Sequence, residues 1–416
     1  MPRDGLPHSR SLTISDVAGS HLLPNALRHR WWLYFVAINS VLVLATFYVG
    51  AGYPHEFFLR PLALSTEQGV GTWWSGFQFL IFTLMARSLA VDLQATSPKT
   101  SRGLVLLSLV GLLLFIDEMA SVHERLGILL PLPGQLHLLP LAIGGGVLLF
   151  WGLFLLRQER HVTSNAPWMI FAAFGLFGCV FLLELGEHRL TWEMALLRGL
   201  RFAIEEGLEL AGGLLLIASM VHVQQSIDPG HRRDLVALLP TPRALLWLCR
   251  LCAYAAIPVW LLRSAFTADQ LTLPTRGDFG VLIPIVWLIC AALLAVRPAL
   301  TESKYRFRWW LLAGVLMLAS LDLECHFHHY LLYGSVDLRW RPDLGLLWST
   351  PLLFGAMLAV PGLRTRTALV GLAASYLLVV ISALLGIAPL ALATPYVVAF
   401  LMLQVVAKHF VGRAPR

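Results

Sequence analysis

The chain has 416 residues, 57% of them hydrophobic and only 13% charged, about half the charged fraction of a soluble domain. That excludes one large water-soluble globule: the apolar residues arrive in stretches of roughly 18 to 24, long enough to cross a hydrocarbon layer. The net charge of +7 would suit a nucleic-acid partner, but the basic residues gather in alternate links between the stretches, which excludes that partner and points to a membrane.

Residues 1–30 are polar, with no apolar run before Trp31, so they read as a cytoplasmic segment without a cleavable signal. Twelve spans follow, at 31–51, 73–92, 103–125, 138–156, 167–188, 199–223, 244–263, 278–296, 309–333, 345–362, 367–386 and 388–409. Short strands of alternating polarity are absent, so the expected fold is all-α, a polytopic membrane helix bundle rather than a barrel. With the N-terminus inside, inner links carry about twenty Lys and Arg and outer links about nine, the asymmetry of an inner-membrane protein with both termini cytoplasmic. A membrane half at 31–223 is thus followed by a cytoplasmic link at 224–243, marked by Asp228-Pro229-Gly230, a second half at 244–410 and a tail at 411–416. Trp31, Trp32, Trp73, Trp74, Trp309 and Trp310 stand at span edges and read as interfacial anchors. All five cysteines fall inside spans, and Cys249-x-x-Cys252 reads as small packing residues.

Four spans carry ionisable residues where lipid disfavours them, at ~2.5–3.5 kcal/mol per charge at mid-bilayer. Span 3 places Asp117, Ser121 and Glu124 on one helical face, with Glu118 beside it and His123 off it. Span 5 ends with Glu184, Glu187 and His188 at i, i+3 and i+4. Span 6 sets Glu205 and Glu209 one turn apart, flanked by Glu206. Span 9 aligns Asp322, His326, His329 and Tyr333, with Glu324 and His328 facing elsewhere.

A shift of 205 positions superposes Thr96 and Lys99 on Thr301 and Lys304, Asp117 on Asp322, and His123 on His328. The halves then read as degenerate parallel six-helix repeats. Odd-numbered spans run outward, so all four polar groups fall in the outer half of the membrane, with Asp117 and Asp322 each about 20 Å above the inner boundary.

Clustered carboxylates in a low dielectric repel one another, and a divalent cation removes that cost. Mixed carboxylate–imidazole shells suit zinc or iron. The expected function is a metal-dependent intramembrane enzyme, a hydrolase or oxidase on a lipid-like or other small apolar substrate. Its metal ligands would come from Glu118, Glu184, His188, Glu205, Glu209, Asp322, His326 and His329, with Asp117 or Glu206 as general base on metal-bound water. Ser121, His123, Glu124, Glu187 and Tyr333 would form the rim. The alternative is a proton- or cation-coupled transporter using the same acids. The plainer account has neutral acids bonded between helices and rim acids paired with Arg125, Arg189, Arg198 and Arg201.

The two-times-six layout resembles that of major facilitator transporters. Their Gly-x-x-x-Asp-Arg loop after span 2 is replaced here by Thr96-Ser97-Pro98-Lys99-Thr100-Ser101-Arg102. Glu205-Glu206 resembles the start of the Glu-Glu-x-x-x-Arg motif of intramembrane CAAX-type proteases, but the Arg position holds Leu210.

Overall fold

The structure, a computed structural model, describes residues 31–52, 62–63, 69–120, 122, 139–159, 165–187, 195–227, 239–252, 254, 279–301, 304–325, 342–385 and 388–411. Among these the regular elements are helical. They are α1 (Trp31–Gly50), α2 (Val70–Asp92), α3 (Pro98–Ala120), α4 (Leu139–Gln158), α5 (Ala166–Glu187), α6 (Ala195–Ile227), α7 (242–252), α8 (Phe279–Thr301), α9 (Arg306–Cys325), α10 (Pro342–Ala359), α11 (Arg366–Leu385) and α12 (Ala388–Val411). One 3₁₀ turn, Pro361–Leu363, leads from α10 towards α11.

A described helix overlaps part of each expected stretch, but the twelve expected spans are not all found. Among the described residues, 7 helices, α1, α2, α3, α5, α6, α8 and α11, are long and apolar enough to cross a membrane. The described parts of α4, α10 and α12 are shorter apolar helices. The chain is therefore an all-α, multi-helix bundle of the polytopic membrane kind.

Local chemistry sets several helix ends. Thr241 starts α7: its carbonyl accepts from the Leu245 amide and its hydroxyl from the Ala244 amide at 3.3 Å, with Pro242 in the first turn, where its missing N–H costs nothing. At the start of α3, Glu159, just beyond α4, accepts from the Thr100 amide at 3.0 Å and its hydroxyl at 2.5 Å. A carboxylate there satisfies orphan donors and meets the positive end of the helix dipole.

Sequential neighbours pair α2 with α3, α3 with α4, α4 with α5 and α5 with α6, while α6 returns to pack on α1 and α2. In the later helices α8 pairs with α9, α9 with α10, α10 with α11 and α11 with α12, while α12 returns to α8. The two groups meet through α2 against α9 and α3 against α8. Of the seven apolar helices, α2 and α8 are the most enclosed. Both end on the segment entering α7: Ser88 of α2 accepts from the Thr241 amide at 2.9 Å, and Arg297 of α8 donates to the Leu239 and Pro240 carbonyls. These two central helices therefore run in the same direction.

Lipid tails are as apolar as leucine, so burial alone does not drive helices together in a bilayer. Close backbone approach and interhelical hydrogen bonds do. A Cβ on Gly199 would lie 2.7 Å from the Phe47 carbonyl oxygen, and one on Gly103 2.9 Å from that of Gly152. The contacts of α6 with α1 and of α3 with α4 thus exist because these positions lack side chains. Trp73 and Trp309, expected at the interface, are instead buried at 6% and 1% exposure. They sit near helix ends that the bundle covers, and they fill it.

Candidate functional site

Hydrogen bonds fix which residues share a level. Near the start of α2, the Ser75 hydroxyl bonds Glu118, two residues from the end of α3. On the adjoining side of α2, the Trp74 indole donates to Asn39 Oδ1 at 2.7 Å and the Gln78 amide to the same oxygen at 3.1 Å. Asn39, in α1, donates in turn to the Leu210 carbonyl of α6 at 3.4 Å. A Cβ on Gly213 would lie 2.9 Å from Gln78 Oε1, so α6 presses its backbone onto that amide.

This continuous polar path runs from α3 through α2 and α1 to α6. Glu206 and Glu209 stand seven and four residues before Gly213, on the face of α6 that meets Gln78. Glu118, Glu206 and Glu209 are each half-buried.

Glu205 is committed differently. Its carboxylate accepts from Arg201 at 3.1 Å, one turn earlier on α6, with the two side chains 14% and 4% exposed. A charge pair so enclosed compensates the desolvation of both partners. The Arg201 guanidinium also lies over the Phe202 ring at 5.1 Å.

The second helix group contributes through α9. Its buried residues Trp309, Leu312, Ala313, Leu316, Ala319, Ser320, Leu323 and Glu324 recur every three or four positions and form one stripe, with Cys325 buried beside its end. Glu324 lies on that stripe, 5% exposed, within electrostatic reach of Glu118 across the contact between the groups. Its Oε1 is buried and has no hydrogen-bond partner. Asp322 is half-buried and takes part in other contacts, as do Asp117, Glu206 and Glu209.

Of the expected site residues, the structure links Glu118 to α2, and Glu324, which was not among them, lies within electrostatic reach of it. The structure pairs Glu205 with Arg201 and leaves Glu206 and Glu209 half-buried on α6. Glu184 and Glu187 belong to the last turn of α5, with side chains outside the described set. Ser121, His123, Glu124, His188, His326, His329 and Tyr333 lie outside the described residues. Among the described residues, no group of three or more His, Cys, Asp and Glu gathers around a point where a metal ion would bind.

Asn39, Ser75, Gln78 and Glu324 are the residues that reading for charged faces overlooks. The first three are uncharged and hardly disturb hydropathy. Glu324 was legible in principle, because the apolar rhythm of span 9 puts it on the packed face. Likewise Glu118, rather than Asp117, continues the buried face of α3 formed by Leu107, Gly111 and Phe115.

Residues 33–223, which run from α1 into α6, match the profile of a family described as a domain of unknown function (DUF8692). No curated protein and no solved structure matches the chain.

Proposed function

We propose that this protein is a proton- or cation-coupled transporter of the inner membrane, built from two parallel six-helix units. Its coupling acids stand in the outer half of the bilayer, at the seam between the units. One observation carries this reading: five helix pairings of the first group recur in the second when six is added to each helix number, although α10 also packs on α12 without comparable packing of α4 on α6. The pairs α2–α3, α3–α4, α4–α5, α5–α6 and α2–α6 have the counterparts α8–α9, α9–α10, α10–α11, α11–α12 and α8–α12. The seam obeys the same exchange, α2 on α9 and α3 on α8. The common direction of α2 and α8 fits parallel repeats rather than inverted ones, and the family match to 33–223 fits a unit that ends within α6. Two such units packed about a seam are the arrangement that rocks between inward and outward openings.

Two-sided access tests the reading without a known substrate. In a chain lacking its five free cysteines, Ser75→Cys and Met119→Cys report on the α2–α3 side of the seam. Transport predicts that a membrane-impermeant maleimide labels them from either face, in right-side-out and in inverted vesicles. Labelling from the outer face alone overturns transport and leaves an outward-facing enzyme.

That second reading, a metal-dependent hydrolase or oxidase on a lipid-like substrate, draws on the sequence beside the described acids. His188 follows Glu187, and His326 and His329 follow Glu324 and Cys325. Zinc or iron would be held by imidazoles and carboxylates from Glu118, Glu184, His188, Glu209, Asp322, His326 and His329, with Asp117 or Glu206 as base. Elemental analysis of the detergent-purified chain decides it: stoichiometric zinc or iron supports the enzyme, and no tightly bound metal removes it.

A further inference from the structure

Where α9 begins and α10 finishes, positive charge is concentrated on the surface. Lys304, Arg306 and Arg308 stand at the start of α9, and Arg364 and Arg366 lead into α11, all five exposed. Arg308 donates to the Ala359 carbonyl at 3.1 Å and Arg364 to the Leu358 carbonyl at 2.5 Å. Two guanidiniums therefore meet on adjacent residues at one helix end. The Tyr305 ring holds the Arg308 guanidinium and the Lys304 ammonium, each 5.4 Å from its centroid. Among the described residues, none of the five cations pairs with a carboxylate.

The last carbonyls of a helix amount to about half a negative charge, less than the cations drawn onto this end. Each guanidinium is a fork of several N–H donors and uses one of them on a carbonyl, so both keep donors for a further acceptor. The surface beside them is apolar. Phe307, 77% exposed, forms with Trp310, Leu311 and Leu318 the outward stripe of α9, and helical spacing puts Arg306 and Arg308 on its two flanks. Gly314 of α9 and Gly355 of α10 also face outward, and a Cβ on either would meet nothing within 4 Å. They lie ~9 Å in from Arg308 and ~6 Å in from Ala359 along their helices. The surface is thus low just inside the guanidiniums. A bias of basic residues to one membrane face accounts for their number, but not for their convergence above an open apolar surface. An anion with an apolar tail satisfies both features, and a planar guanidinium fork matches the oxygens of a phosphate.

We propose that this end of the bundle is a binding site for an anionic phospholipid. Arg308 and Arg364 hold its phosphodiester, with Lys304 beside them on the Tyr305 ring. An acyl chain lies along Phe307 and Leu311 and over the low surface at Gly314 and Gly355. On the expected topology this is the inner face, whose leaflet carries the anionic lipids that basic clusters recognise. One phosphate shared by Arg308 and Arg364 ties the start of α9 to the segment entering α11, across the end of α10. The inference is independent of the choice between transporter and enzyme, because none of these residues belongs to the acidic site.

Native mass spectrometry of the delipidated full chain tests this, with phosphatidylglycerol and phosphatidylcholine of matched acyl chains titrated into the detergent. Phosphatidylglycerol should bind the wild type roughly tenfold more tightly, and the double variant Arg308→Gln, Arg364→Gln should lose that preference. Lys99→Gln with Arg102→Gln removes two exposed cations from the start of α3 and should leave the preference intact. An equal loss in that control overturns the site in favour of a general attraction to basic residues. Displacement of the lipid by equimolar glycerol phosphate makes the ligand a free phosphate and overturns the lipid. Gly355→Leu fills the low surface without touching a cation and should weaken phosphatidylglycerol severalfold. Unchanged binding in Gly355→Leu overturns the placement of the chain, and this variant carries the decision if the double arginine variant fails to fold.

Discussion

In the first six helices, Asn39, Ser75, Gln78 and Glu118 bond across helix boundaries, and Gly103, Gly152 and Gly199 let backbones approach closely. In the described helices after α7, the buried polar side chains are mainly hydroxyls, such as Ser320, Ser375 and Thr394, together with Glu324. The described glycines there, Gly314, Gly355 and Gly371, would meet nothing closer than 3.5 Å with a Cβ added. Similar helix pairing is thus achieved by different means. In a bilayer, small residues and polar bonds specify how helices seat, whereas side-chain bulk alone specifies little. The first group is keyed in place, and the second is filled, with Glu324 the deeply buried acid among its described residues.

The largest expected effect lies at the glycine contacts. Gly199→Leu must push α6 off α1, because the Phe47 carbonyl occupies the space its Cβ needs. We expect a loss of about 3 kcal/mol, at the upper end for overpacking. Gly314→Leu on α9, with nothing within 4 Å, should change stability by less than about 0.5 kcal/mol, as at other uncrowded sites. Thermal unfolding in detergent micelles measures both. Equal losses would mean that the second group is as tightly keyed as the first.

Next in size is the polar path. Asn39→Leu leaves the Trp74 indole and one Gln78 amide donor without their shared acceptor, at an expected cost of about 1–2 kcal/mol. In the second group, Ser375 bonds the Leu372 carbonyl of its own helix at 2.9 Å. Ser375→Ala should therefore cost less than about 0.5 kcal/mol, because removing such back-bonding changes a helix little. The same unfolding assay compares them, and a costly Ser375→Ala would show that hydroxyls specify the second group as amides specify the first.

The contrast also explains what the sequence makes legible. Helix positions could be read because an apolar stretch of this length has one stable conformation in lipid. The Ser75–Glu118 and Asn39–Leu210 bonds show which residues of α1, α2, α3 and α6 meet, which connectivity alone does not give. Which acid faces which helix was harder. A face of 100° per residue decides between Asp117 and Glu118 only when the neighbour is known, and the aligned Asp322, His326 and His329 drew attention from Glu324. Asn39 and Gln78 were invisible because an amide in a 20-residue span barely lowers its hydropathy, although its bonding requirement is what fixes α1 to α2 and α6. Arg201 was expected to pair with rim acids, yet helical spacing already put Glu205 one turn away.

The smallest expected effect compares the same junction in the two groups. Where α3 meets α4, Glu159 brings a negative charge to the first amides of α3. Where α9 meets α10, Arg308 brings a positive charge to the last carbonyls of α10, donating to Ala359 at 3.1 Å, with Arg364 donating to Leu358 beside it. Both arrangements satisfy orphan backbone groups and oppose the local helix dipole, so sequences of opposite sign solve one problem from opposite ends. Glu159→Gln keeps an acceptor for the Thr100 amide and hydroxyl but removes the charge. It should cost about 0.5 kcal/mol, the usual size of a dipole term near a surface. Arg308→Gln removes charge from an exposed side chain and should cost no more than that. High salt should shrink both losses, since exposed charges are screened within a Debye length. If the Glu159→Gln loss survives high salt while the Arg308→Gln loss vanishes, the α3–α4 junction is enclosed where the α9–α10 junction is wet. The contrast between a keyed and a filled group would then extend to these helix ends.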